Sequence, residues 1–137
     1  LGAFAMTREV GKRLLARGEG SILFVASMTS LFGIPKACAY TASKAAVAGL
    51  AKQIATEFSP KGVTVNAVAP GFIDTAMSRK AFDGDPNRRA KVISRTPMDR
   101  LGTPEEVGMA AAFLLSPAAR YLTGVVLPVD GGTSIGF

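Results

Sequence analysis

The feature that most constrains this chain is a short run, Ile22-Leu23-Phe24-Val25-Ala26, that is apolar throughout, with no polar alternation. A strand of that kind is apolar on both faces and must be covered on both, as in a parallel sheet between helices. The segments around it fit the same plan. Residues 3–17 suit a helix, with Phe4, Val10, Leu14 and Leu15 as a loose apolar stripe among Arg8, Lys12, Arg13 and Arg17. Residues 27–39 carry Ser, Thr, Gly and Pro and read as a loop. A long alanine-rich helix is expected over 41–58, closed by Pro60 and Gly62. Val63 to Val68 reads as a second strand ended by Pro70-Gly71, and Gly124 to Val129 as the last. Residues 72–97 are polar and read as an excursion with short helices. Pro104-Glu105-Glu106 opens a further helix reaching Leu115. Proline early in a helix loses no hydrogen bond, and acids there suit the helix dipole. Helices alternating with strands imply an α/β fold: a parallel sheet of about three strands flanked by helices.

Two faces are expected on the helix over 41–58. Val47, Leu50, Ile54 and Phe58 form the core-facing stripe. The small residues Ala42, Ala45, Ala46, Ala48, Gly49, Ala51 and Ala55 suit either packing on the sheet or a subunit interface of paired helices.

Composition removes several chemistries. The chain has 137 residues, one cysteine and no histidine, so internal disulfides, His-dependent triads and His-ligated zinc are out, and no metal site is expected. Hydrophobic residues make up 48%, which excludes a disordered chain, and no stretch is long and apolar enough for a membrane span. The formal charge is +6, but the positives are dispersed and few aromatics interleave with them. A basic nucleic-acid binder is therefore a weak alternative, and a solvated surface is the ordinary reading. Cys38 has no histidine to make it a catalytic thiol.

Proton transfer is left to Tyr, Lys, Asp, Glu or Cys. Tyr40 and Lys44 lie four apart at the start of the long helix and share a face. An ammonium near a phenol favours its ionised form and brings proton exchange toward neutral pH. Ser27 ends the first strand thirteen residues before Tyr40, and parallel sheets bind ligands at the carboxyl ends of their strands. A lone Tyr-x-x-x-Lys is most often an exposed pair, and the serine improves the case modestly.

Four blocks carry a resemblance. Ser27 with Tyr40-Thr41-Ala42-Ser43-Lys44-Ala45-Ala46 is similar to the active-site segment of the short-chain dehydrogenase/reductase family. The stretch from Val65 to Thr75, Arg100 to Val107, and Thr123-Gly124 with Val129-Asp130-Gly131-Gly132 resemble the blocks that follow it there, in order. The resemblance implies a Rossmann-type sheet and an oxidoreductase moving a hydride between NAD or NADP and a secondary alcohol or its ketone. It implies Tyr40 as general acid and base, Lys44 as its partner and a ribose contact, and Ser27 as the holder of the substrate oxygen. Pro70, Gly71, Ile73 and Thr75 would line the nicotinamide and pyrophosphate region, with the Ile73 backbone on the carboxamide and the Thr75 hydroxyl near the phosphates. Residues 72–97 would cover the substrate. A homotetramer and a cytoplasmic location are expected. Arg79, Lys80 and Arg95 are the cations available to an acidic substrate, and the substrate itself is not determined.

The family's glycine-rich phosphate turn has no counterpart: neither G-x-x-x-G-x-G nor G-x-G-x-x-G occurs. The chain is therefore expected to be the C-terminal half of a longer enzyme, lacking the residue that chooses NAD or NADP. If it existed alone, a hydrophobic sheet edge would be exposed, with Ile22 to Val25 and Val63 to Val68 as the liability, and it would be a non-catalytic oligomerising fragment.

Overall fold

The computed structural model describes residues 2–135 and begins with the expected basic helix, α1 (Gly2–Arg17). Strand β1 (Gly20–Val25) leads into a 3-10 turn (Met28–Ser30) and then the long helix α2 (Cys38–Phe58). Strand β2 (Val63–Pro70), helices α3 (Ala76–Phe82), α4 (Pro86–Ile93) and α5 (Pro104–Leu115), and strand β3 (Val126–Val129) complete the order. The sheet runs β1-β2-β3, and both pairings are parallel, so Val63 to Val68 is the central strand, paired on both sides, and not the exposed edge expected. Val25 pairs with Val68, and Pro70 with Val129, so the three carboxyl ends lie along one side. Parallel neighbours need a crossover; α2 supplies the first, and α3 to α5 the second.

Both faces of the sheet are covered, as the unbroken apolar run required. Phe24, Ala26, Val63, Val65 and Ala67 pack into a core with α2 and the inner side chains of α1. Leu23, Val68, Leu127 and Val129 pack with Leu114 of α5 and Ala119 in the opposite layer. This is a three-stranded part of a Rossmann-like arrangement.

Helix α2 turns the expected stripe to the core and buries small residues beside it. Its buried residues are Ala48, Ala51, Ile54 and Ala55, while Val47, Leu50 and Phe58 pack at the flank of the same core. Fully buried valines at 63 and 65 already fill the sheet surface, so the helix presents its small residues there. Ala42, Ala45, Ala46 and Gly49 remain exposed, so the small residues divide between the sheet and the outside. The helix also starts at Cys38, three residues earlier than expected, which puts Tyr40 in its first turn. Strand β3 starts at Val126, two residues later than expected.

One buried polar residue ties the strands together. Asn66, 1% exposed in β2, donates from Nδ2 to the Leu122 carbonyl at 2.9 Å, and its Oδ1 accepts the Val125 N–H at 3.0 Å. The amide thus satisfies two groups of the chain just before β3, beside the backbone bonds that Gly124 and Val125 make to β2.

Candidate active site

The carboxyl end of β1 carries the first site residue. Ala26 donates its N–H to the Val68 carbonyl at 2.8 Å, and Ser27 follows in extended conformation as the cap of the 3-10 turn. Its Oγ accepts the Thr29 N–H at 3.2 Å, and its side chain is buried. The bond occupies a lone pair and leaves the hydroxyl proton free to donate. The turn packs against α2.

Lys44 joins α2 to the same end of β1. Because the Ala26 N–H donates to the Val68 carbonyl, the Val25 carbonyl of the same peptide group points away from β2, to the outer edge of the sheet. The Lys44 ammonium donates to that carbonyl at 2.8 Å. It also lies 5.9 Å from the centre of the Tyr40 ring, one helical turn earlier. Tyr40 is 52% exposed. Ser27, Tyr40 and Lys44 are therefore gathered at the carboxyl end of β1, although they come from a strand end and a helix. Three buried hydroxyls beside them in sequence, those of Thr29, Ser30 and Thr41, have no hydrogen-bond partner among the described residues. Nothing in the spacing of the sequence singled these out.

The stretch after β2 is held mostly by backbone. Pro70 ends the strand against Val129, and Gly71 donates its N–H to the Val129 carbonyl at 3.0 Å. A side chain at Gly71 would place its Cβ 2.6 Å from the Asp130 Cα, so only glycine permits this approach. Ile73 pairs as an isolated bridge with Gly102. Thr75 caps α3: its Oγ1 accepts the Ser78 N–H at 3.2 Å, while its own N–H donates to Ser78 Oγ at 2.9 Å. Arg79 faces Asp74 at 3.5 Å, so its charge is already partly matched.

Behind residues 72–74 lies a cavity of about 460 Å³ bordered by Phe72, Met98, Arg100, Glu106 and Val129. Ser27, Tyr40 and Lys44 do not border it. At its rim Arg100 meets Glu106 through two bonds, of 2.9 and 2.5 Å. The Arg100 guanidinium, and after it the Thr103 N–H, hold the Glu106 carboxyl down at about 2 from an ordinary 4.5. The pair was not legible as a pair, since its members are six residues apart and Arg100 precedes the helix.

Comparison with known proteins places this arrangement. The family model described as enoyl-(acyl carrier protein) reductase matches residues 1–134. The 2-dehydro-3-deoxy-D-gluconate 5-dehydrogenase of Bacillus subtilis is 43% identical over 129 residues, covering 94% of this chain and 50% of that protein. The gluconate 5-dehydrogenase of Burkholderia cenocepacia, solved in complex with NADP and tartrate, superposes with a TM-score of 0.94 at 32% identity, over 99% of this chain and 53% of that one. A 4-hydroxyisoleucine dehydrogenase complexed with NADH superposes with a TM-score of 0.91 at 33% identity, over 98% and 55% of the two chains. The chain spans about half the length of the curated relatives it matches. With the family model matched along nearly its whole length, and the same sheet and helices in the solved relatives, the chain belongs to the short-chain dehydrogenase/reductase family.

Proposed function

We propose that the full-length protein transfers a hydride between NAD or NADP and a secondary alcohol or its ketone, with Tyr40 as general acid and base. The observation that carries this reading is the gathering of Ser27, Tyr40 and Lys44 at the carboxyl end of β1, with Lys44 bonded to the Val25 carbonyl. Ser27 donates its free hydroxyl proton to the substrate oxygen and stabilises charge growing there. In oxidation Tyr40 acts as the phenolate and takes the alcohol's proton, becoming the neutral phenol; in reduction the neutral phenol gives that proton to the ketone oxygen and is left as the phenolate. Lys44 fixes the Tyr40 side of the helix against the strand.

The residues suit the nicotinamide end of a dinucleotide. Gly71 brings bare backbone close, and the Ile73 N–H and C=O have no partner among the described residues. Bound there, the dinucleotide accepts or supplies the hydride. Pro70 and Thr75 flank the same stretch, and Lys44 reaches the ribose. Two relatives named for gluconate or its derivatives favour a polyhydroxy acid as substrate, with residues 72–97 as its cover. The exposed alanines of α2, and the exposed Met109 and Phe113 of α5, support a homo-oligomer, a tetramer in the full-length form.

The test is spectrophotometric. The full-length protein, given NAD or NADP and a panel of sugar acids, should build up reduced nicotinamide absorbance. Tyr40→Phe should lower turnover by about 10²–10⁴-fold with cofactor binding kept. Wild-type turnover in that variant would overturn the assignment.

A further inference from the structure

Residues 72–74 form an extended step clamped from one side by a single residue. Gly102 donates its N–H to the Phe72 carbonyl at 2.9 Å, and its carbonyl accepts the Asp74 N–H at 2.8 Å. Successive peptide groups of an extended chain point to opposite sides. The clamp therefore turns the N–H and C=O of Ile73 away from Gly102, together, as one donor beside one acceptor. Neither has a partner among the described residues. A primary carboxamide offers the complementary pair, an acceptor beside a donor.

The clamp is itself anchored. A Cβ at residue 102 would lie 2.8 Å from Ile73 Cδ1, so the Ile73 side chain would have to shift to admit it. On the far side Glu106 accepts the Thr103 N–H at 2.8 Å, and Arg100 donates both to Glu106 and to the Leu101 carbonyl, the latter at 3.0 Å. The turn carrying Gly102 is thus tied at 100, 101, 103 and 106. We infer that Arg100, Gly102 and Glu106 are positioning residues that hold the Ile73 N–H and C=O as a fixed pair for the carboxamide of the nicotinamide. The inference rests on the function proposed above and adds to it the residues that set carboxamide recognition. None of the three needs to touch the cofactor.

Calorimetric titration of the full-length protein tests this without turnover. The probes are NAD and 3-acetylpyridine adenine dinucleotide, or the corresponding NADP pair, which differ only in the amide's donating NH2. The wild type should bind the carboxamide form about tenfold more tightly, the worth of one well-placed hydrogen bond. In Arg100→Met that ratio should fall toward unity, and in Gly102→Ala and Glu106→Gln part of the way. Arg100→Met lies at the protein surface and carries the test if Gly102→Ala does not fold. A merely structural role would weaken both dinucleotides alike and leave the ratio untouched. A wild type without preference, or variants that keep the full ratio, would overturn the inference while leaving the proposed function standing. A full-length protein that binds neither dinucleotide would sink both.

Discussion

Tyr40 and Lys44 stand on the first turns of one helix, with half of Tyr40 open and Lys44 secured by one bond to a strand-edge carbonyl. Residues 70–75 are instead fixed from several directions, by Val129, by Asp130, by Gly102 and by the cap on α3. The difference fits the role proposed for each region. A side chain that passes a proton to a substrate must remain reachable, so it cannot be packed all round. A backbone group recognises a ligand only if its direction is fixed, and the fixing comes from hydrogen bonds and close glycine contacts. Substitutions in the first region should therefore appear in turnover, and those in the second in stability and binding.

The largest expected effect after that of Tyr40 is at Ser27. Ser27→Ala should lower turnover by about 10²-fold, as for loss of one donor to a developing oxyanion, at a stability cost of only about 1 kcal/mol from the Thr29 N–H it leaves uncapped. A matching loss of stability would erase the contrast between the regions. Asn66→Ala should do the reverse. It leaves the Leu122 carbonyl and the Val125 N–H without their side-chain partner, at about 1–3 kcal/mol for each group left unsatisfied. Denaturant unfolding reads this, and an unshifted midpoint would contradict it. Gly71→Ala should cost about 1–3 kcal/mol by overpacking against Asp130, and cofactor affinity should fall with it. Wild-type affinity in a folded Gly71→Ala protein would show that the close approach is dispensable.

The smallest effect concerns acid. The Glu106 carboxyl is held at about 2 against an ordinary 4.5, so its stabilising contribution is complete above the higher value and is lost as pH falls toward the lower. Between those limits the wild type should lose stability more steeply than Glu106→Gln. Parallel curves for the two proteins would mean that the ion pair does not set this slope.

Much of the architecture was readable from local pattern. The run Ile22 to Ala26 required cover on both faces, and the structure covers both at Ile22, Leu23, Phe24 and Ala26 while leaving Val25 exposed. The start of α2 was less readable because Ala37 offers no side-chain cap, so nothing marked Cys38 as helical. Gly124 resembled part of a strand but has a φ of 73°, which belongs to a turn. The stripe Val47, Leu50, Ile54 and Phe58 does face the core, but which small residues lie deepest was not legible, because alanine carries little hydrophobic signal and its burial is decided by the valines across from it. At the site, Ser27, Tyr40 and Lys44 were marked by spacing and resemblance. The clamp was not, because Gly102, Arg100 and Glu106 meet residues 72–74 only through the crossover between β2 and β3. Likewise Ser78 completes a capping box with a serine where glutamate is the usual signal.

The most direct test is a structure of the full-length protein with NAD or NADP and a polyhydroxy acid or its keto analogue bound. Ser27 Oγ and Tyr40 Oη should both lie within hydrogen-bonding distance, about 3 Å, of the same alcohol or ketone oxygen, at the carboxyl end of β1. A reacting oxygen held elsewhere, for example in the cavity beside Arg100 and Glu106, with Tyr40 facing solvent, would contradict the account.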